Sequence, residues 1–203
     1  MIAIVDYGVG NLFSLKSSLA MIGAEAIVTG DAARLRAAEK IILPGVGAFE
    51  DAANKLRDSG LDQVVTGQAQ AGKPLLGICL GMQLLFERSF EYGEHAGLGL
   101  LKGDVVEMRL HIPAELKVPQ IGWNALIFKQ PEHPLFRYIH EGDCVYFVHS
   151  YYATHCEDST LATTEYGAEL TAAVGRGNIF GCQFHPEKSG KVGLSILKAF
   201  CEI

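Results

Sequence analysis

The sequence predicts an α/β fold: an open, mostly parallel central sheet with flanking helices, plus a more β-rich second half. Two patterns predict it. In the first half, short apolar runs alternate with longer segments of helical periodicity, and glycine-rich turns mark the joins. Parallel strands need a crossover, normally a helix, so this alternation implies a parallel sheet covered on both faces. In the second half, short β-branched and aromatic runs follow one another closely, as strands joined by turns do. A chain of 203 residues suffices for a sizeable core. No repeat, low-complexity tract or linker divides it, so residues 1–203 are expected to form a single domain.

The elements follow in order. Residues 2–5 are an apolar strand that stops at Asp6. A helix is expected over 11–22, with Asn11 as its N-cap. Strands follow over 25–29 and 40–43, the second ending at Pro44-Gly45-Val46-Gly47. Helices over 48–57 and 61–71 lead to a strand over 74–78 and a helical stretch over 82–86. The second half carries strands over 104–108, 125–128, 145–148, 161–166, 172–174 and 179–184, then a helix over 192–201. In open α/β sheets, sites lie beyond the carboxyl ends of the strands. Gly45, Cys79 and His185 all follow strand ends, so they can converge on one crevice.

Composition narrows the function. The net charge is −6 and no long basic run occurs, which argues against nucleic-acid binding as the main task. The five cysteines are odd in number and form no C-x-x-C pair. That fits a reducing cytoplasm and argues against a disulfide framework or a structural zinc site. The apolar start lacks a basic flank and is too short for a signal peptide, and no segment is long enough to span a membrane.

The strongest chemical signal is Gly77-Ile78-Cys79-Leu80-Gly81, directly after the apolar Pro74-Leu75-Leu76. It has the form of a nucleophile elbow: flanking glycines allow a strained turn that projects the middle side chain at a strand end. Free amide groups of the following helix favour a thiolate there. The plainer reading is a buried cysteine in a strand–helix turn. Far downstream, Phe184-His185-Pro186-Glu187 ends the last strand. Residues i and i+2 of extended chain point the same way, so His185 and Glu187 can lie side by side. Pro186 biases His185 towards extended geometry. A thiol needs a base, and the base needs a group that orients it. Cys79, His185 and Glu187 supply those roles.

Further residues complete the candidate site. Two N–H groups can stabilise a tetrahedral oxyanion: one from Leu80, after the nucleophile, and one from the Gly45–Val46 loop. That loop lacks the Lys-Ser/Thr ending of a phosphate loop. Gln83 lies one helical turn beyond Cys79 and can face the same cleft; the alternative is a solvated helix face. Glu91 alone reads as surface charge. His149 reads as structural, because His185 has the better-placed partner. Trp123, the only tryptophan, is either a core plug or an exposed interface anchor.

Together these motifs resemble those of the class I glutamine amidotransferases. The matching stretches are Gly77-Ile78-Cys79-Leu80-Gly81-Met82-Gln83 and Phe184-His185-Pro186-Glu187. Narrower motifs resemble the glutaminase subunits of imidazole glycerol phosphate synthase. They are Pro44-Gly45-Val46-Gly47-Ala48-Phe49, Ile121-Gly122-Trp123-Asn124, Phe147-Val148-His149-Ser150-Tyr151 and His185-Pro186-Glu187-Lys188-Ser189; Asp6-Tyr7-Gly8-Val9-Gly10-Asn11 is also similar. The resemblance spans residues 2–200. It departs at Ile121, where that family usually has methionine, and at Gly190, where it usually has serine.

The resemblance implies flavodoxin-like layering, no cofactor and no metal. It implies a Cys79–His185–Glu187 triad, glutamine as substrate, and contacts to it from Gln83, Glu91 and the backbone near Ser150 and Tyr151. It also implies a partner, the (β/α)8-barrel cyclase subunit, with Asn11, Trp123 and Lys188 turned towards it. Another amidotransferase subunit, or a related cysteine hydrolase, is the competing enzymatic reading, and Gly122-Trp123-Asn124 argues against it. A catalytically silent binding subunit is the competing non-enzymatic one, and the intact triad argues against that.

Overall fold

The computed structural model describes residues 1–203. Its first half alternates β1 (Ile2–Val5), α1 (Leu12–Met21), β2 (Ala26–Thr29), α2 (Ala32–Ala37), β3 (Lys40–Leu43), α3 (Phe49–Asp58), α4 (Leu61–Gln70) and β4 (Leu75–Ile78). A short α5 (Leu80–Gln83) follows, then β5 (Arg88–Ser89), β6 (His95–Ala96) and β7 (Asp104–Glu107). Next come β8 (Gln120–Ala125), β9 (Ile127–Phe128), β10 (Cys144–His149), β11 (Tyr151–Thr154), β12 (Thr160–Glu165), β13 (Glu169–Arg176), β14 (Ile179–Cys182) and α6 (Gly190–Glu202). None of the helices is long and apolar enough to cross a membrane.

The central sheet has eight strands in the order β2-β1-β3-β4-β14-β13-β12-β9. The β2-β1-β3-β4-β14 half is parallel and the β13-β12-β9 half antiparallel. Both faces of the parallel half are covered, which is why its strands are largely apolar rather than alternating, with Lys40 and Thr29 at strand ends. In β1, Ile2 and Ile4 join a core with Leu15, Leu19, Ile196 and Phe200 of α1 and α6. Ala3 and Val5 face the opposite core, with Leu35, Phe49, Leu56 and Val65 of α2, α3 and α4. Two small sheets, β10-β8 and β11-β7-β5-β6, stand beside the central one.

Three expectations need correction, and one helix was not expected. Asn11 sits at the N-terminus of α1, but its side chain caps nothing, because its φ of −87° and ψ of 61° are not the extended geometry that turns a side chain back onto the first turn. The expected strand over 125–128 divides at Leu126. Ala125 pairs with β10 while Ile127 and Phe128 pair with β12, and Leu126 bonds to the 142–143 turn on both sides. The helical stretch after Cys79 ends at Gln83, not at 86. The carbonyls of Leu84, Leu85 and Phe86 instead accept from Leu98, Leu100 and Gly99, so the loop takes the acceptors that a longer helix needs. α2 was not foreseen; its signal is Asp31, which accepts from Ala33 N at 2.7 Å and Arg34 N at 3.0 Å.

α6 packs against the turn that carries His185 and Glu187. A Cβ on Gly193 would lie 1.9 Å from the Pro186 carbonyl oxygen. Gly193→Ala is therefore expected to destabilise by about 3 kcal/mol, or roughly 6–12 °C in Tm for a chain of this size. Calorimetry against the wild type checks this; an unchanged Tm would show that α6 can retreat from the turn.

Candidate active site

Cys79 follows β4 with φ 54° and ψ −113°. A side chain at positive φ costs about 1–3 kcal/mol and persists only where its surroundings hold it. Here Cys79 N donates to Cys182 O of β14 at 2.7 Å, and Cys79 O accepts from Gln83 N at 3.1 Å. Glycines let the neighbouring backbones close in. A Cβ on Gly81 would lie 1.9 Å from Leu43 O, and one on Gly45 2.6 Å from Gly81 N. The thiol emerges at the mouth, and Cys79 is 6% exposed.

His185 and Glu187 come together, though not by strand alternation. The strand expected over 179–184 ends at Cys182, and Glu187 lies in a one-turn 3-10 helix, Pro186–Lys188. Pro186 occupies its first position, where the missing N–H is no loss. The turn brings Glu187 Oε1 to 2.8 Å from His185 Nδ1, with both side chains buried. Its other oxygen, Oε2, is buried without a partner. His185 is also fixed through its backbone: its N–H donates to Tyr146 O at 3.0 Å, and its carbonyl accepts from Ser189 Oγ at 2.7 Å. Burial alone would lower the imidazole pKa. Its contact with Cys79 and the Glu187 hydrogen bond outweigh burial and push it up to about 9.

A cleft of about 310 Å³ opens onto these groups, lined by Cys79, Leu80, Val46, His185, Lys188 and others. Gln83, Glu91, Ser150 and Tyr151 also reach it. The N–H groups of Val46, Leu80 and Ser150 make no hydrogen bond within the chain. Gln83 Nε2 donates to Tyr151 O at 2.9 Å and to Gln183 Oε1 at 3.0 Å, so both its hydrogens are committed. Glu91, which alone reads as surface charge, lies in the turn after β5, where Oε2 accepts from Phe49 N at 2.7 Å. Burial raises its pKa.

Gly45 and Asn11 lie outside the main cleft. They line a narrow crevice behind His185 and Glu187. Trp123 is 55% exposed on β8, edge-on to Tyr146, and so is no core plug. Lys188 Nζ lies over the same Tyr146 ring, 5.8 Å from its centre.

Sequence reading missed Gln183 and Ser189. Gln183 Nε2 donates to Cys79 Sγ at 3.7 Å, and Ser189 ties the His185 carbonyl to Tyr146 N at 2.9 Å. The burial expected of a residue following an apolar strand was the available signal for Gln183. Nothing local marked Ser189. His149, read as structural, is buried, with Nδ1 2.9 Å from Tyr151 O and Nε2 3.0 Å from Gln120 Oε1; a neutral imidazole has one N–H and so donates to one of these two oxygens.

Known proteins place the chain in a family. A sequence model for Glutamine amidotransferase class-I matches residues 3–202. The imidazole glycerol phosphate synthase subunit HisH of Caldanaerobacter subterraneus is 50% identical over 100% of this chain and 98% of its own length. The proteins of that name from Oceanobacillus iheyensis and Lacticaseibacillus casei are 50% and 51% identical over 100% of this chain, and over 99% and 96% of their own lengths. The chain belongs to the HisH family of class I glutamine amidotransferases. Its fold agrees. A solved glutamine amidotransferase superposes with a TM-score of 0.77 at 20% identity, covering 100% of this chain and 98% of that one. PurLQS from Thermotoga maritima gives 0.75 at 22%, covering 99% and 97%. The α/β architecture expected from sequence is thus that of class I amidotransferases, and this HisH-family chain is an enzyme subunit.

The two cleft imidazoles titrate in opposite directions. Burial lowers the His149 pKa to about 4. Its folded pKa lies below the unfolded reference of about 6.5, so its contribution is intact above that pH and is lost as pH falls towards 4. The loss is at most about 3 kcal/mol. His185, raised to about 9, contributes fully below about 6.5 and loses that contribution progressively as pH rises from there through 9. His149→Gln should therefore show a shallower fall in urea-unfolding free energy between pH 6.5 and 4 than wild type. Equal slopes would mean that His149 charges while folded.

Proposed function

We propose that this chain is the glutaminase subunit of an imidazole glycerol phosphate synthase. It hydrolyses glutamine and passes ammonia to a (β/α)8-barrel cyclase subunit. That partner forms imidazole glycerol phosphate and aminoimidazole carboxamide ribonucleotide in histidine biosynthesis, in the cytoplasm. One observation carries the reading: a strained Cys79 shares a cleft with a buried His185–Glu187 pair, in a chain half identical to HisH relatives along its whole length.

The Cys79 thiolate attacks the side-chain amide carbon of glutamine, and the carbonyl π electrons move to oxygen. N–H groups of Leu80 and of the Gly45–Val46 loop stabilise that oxyanion; the Val46 and Leu80 amides have no competing partner in the chain. A pKa near 9 makes His185 an imidazolium at neutral pH when it faces the thiolate. It protonates the departing nitrogen, ammonia leaves, and a γ-glutamyl thioester remains. His185, now neutral, takes a proton from water, which displaces the thiolate and releases glutamate. Glu187 holds Nδ1 and stabilises the imidazolium.

The substrate contacts follow from which groups remain free. Gln83 presents only its carbonyl oxygen, which suits a substrate N–H. Glu91 suits the α-ammonium group, and the free Ser150 N–H beside Tyr151 suits the α-carboxylate. The surface around Trp123, Lys188 and Asn11 faces the cyclase.

Cys79→Ala should abolish glutamine-dependent synthesis by the assembled enzyme while synthesis from free ammonia survives. Equal loss of both would refute the division of labour. Trp123→Ala should leave Tm nearly unchanged, since the ring is half exposed. It should weaken association with the cyclase about thirtyfold, as loss of an interface anchor does. Titration of the two subunits by calorimetry, with a parallel thermal melt, checks it; lower Tm with unchanged affinity would contradict it.

A further inference from the structure

Gln183 lies one residue beyond β14 and is fully buried. Its N–H donates to Ala172 O at 2.8 Å, so its backbone stays on the sheet. Its side chain reaches across to the end of the neighbouring β4. There Nε2 donates to Cys79 Sγ at 3.7 Å and Oε1 accepts from Gln83 Nε2 at 3.0 Å. Gln83 Nε2 spends its second hydrogen on Tyr151 O at 2.9 Å. With the Gln83 amide acting only as a donor to Gln183, the Gln183 carbonyl must face it. The Gln183 NH₂ group must then face sulfur.

A fully buried primary amide is costly unless its polar atoms are bonded. This one aims a donor at a thiol, which is a weak acceptor. The bond strengthens when the sulfur is charged, because hydrogen bonds to ionised groups are about twice as strong as neutral ones. The other charged or titratable groups around Cys79 come from different elements. His185 follows β14, with Glu187 behind it. Lys188 and Glu91 line the cleft. Tyr7 follows β1, and its hydroxyl donates to Pro44 O at 2.7 Å. His149 and Tyr151 also line the cleft; Gln183 differs from all of these in giving Sγ an uncharged amide N–H from a fully buried side chain.

We propose that Gln183 is a positioning residue for the nucleophile: its amide holds Cys79 Sγ in place and favours its thiolate. Through Gln83, the same amide ties the sulfur to a side chain that lines the substrate cleft. The proposal rests on the reading of Cys79 as the nucleophile.

Two variants test it. Gln183→Met keeps the length and removes the donor. Gln183→Asn keeps the amide but draws it back by one methylene. The rate of Cys79 alkylation by iodoacetamide is followed against pH by peptide mass mapping, on the full chain. Glutamine hydrolysis is measured on the complex with the cyclase subunit. Both variants should move the alkylation profile to higher pH by about one pH unit, the scale of one hydrogen bond to a charged group. Hydrolysis kcat should fall about tenfold, with a smaller change in KM. A purely structural Gln183 would lower Tm and leave the alkylation profile on that of wild type, and that result overturns the proposal. If one variant does not fold, the other decides. Cys79→Ala, run alongside, separates the two readings: if it still consumes glutamine, the nucleophile is wrong. If it does not, and the Gln183 variants alkylate and turn over as wild type does, only the role of Gln183 is wrong.

Discussion

The site depends on backbone touching backbone. The turn after β4 lies so close to the end of β3 that neither Gly81 nor Gly45 has space for a methyl group. Only this contact puts the Leu80 N–H, the Gly45–Val46 loop and the Cys79 thiol at one mouth. The positive φ of Cys79 is the local cost, about 1–3 kcal/mol. It is held by the Cys79 N–Cys182 O bond and by a sheet whose strands are buried on both sides. Leu76 and Ile78 pack with one core, and Leu75 with the other. The two apolar layers keep the strand end rigid enough to carry a strained turn.

Electrostatics then divides the work between two imidazoles in one cleft. His149 is buried among neutral partners, a carbonyl and an amide, so desolvation wins and its pKa falls to about 4. His185 is also desolvated, but its hydrogen bonds to Cys79 and to the Glu187 carboxylate outweigh that. Environments that drive similar groups apart in pKa assign them different roles. In the proposed mechanism the raised imidazole carries the proton, while the lowered one stays neutral and offers its single N–H to Tyr151 O or Gln120 Oε1. Gln83 donates to the same Tyr151 carbonyl at the wall of the cleft.

Much of this was legible in the sequence, and the failures are instructive. The parallel half was readable because strands buried on both faces must be largely apolar, and β1, β4 and all of β3 after Lys40 are. The cysteine turn was readable because close approach leaves glycine as its trace, at Gly45, Gly77 and Gly81. The pairing of His185 with Glu187 was foreseen for the wrong geometric reason. A 3-10 turn and an extended strand can both bring i and i+2 together, and Pro186 suits either. The 125–128 strand was misread because a change of sheet leaves no composition signal: Leu126 is an ordinary apolar residue whose backbone happens to bond to a turn. Gln183 was missed for a related reason. Its role lies in bonds to Cys79 and Gln83, each 100 or more positions away along the chain, and no local pattern encodes such bonds.

The same long-range logic links the exposed face to the chemistry. β8 and β10 form a two-stranded ribbon in which Trp123 is opposite Tyr146, and Gln120 opposite His149. Outside, the Tyr146 ring meets Trp123 and Lys188. Inside, the Tyr146 carbonyl accepts from His185 N, and its N–H donates to Ser189 Oγ, which itself binds the His185 carbonyl. One residue therefore has its side chain in the proposed partner surface and its backbone clamped to the proposed base. Further along the ribbon, His149 braces the substrate cleft. In the proposed assembly, a partner seated on Trp123 would touch the strand that holds His185 through Tyr146 O. The ribbon is outside the central sheet, but Val145 and Phe147 of β10 pack in the same core as Leu76, Ile78 and Cys79, so its inner face is continuous with the layer that holds the Cys79 turn. Cys79 and the strand that clamps His185 thus share one core, and the Tyr146 backbone links that core to the exposed face.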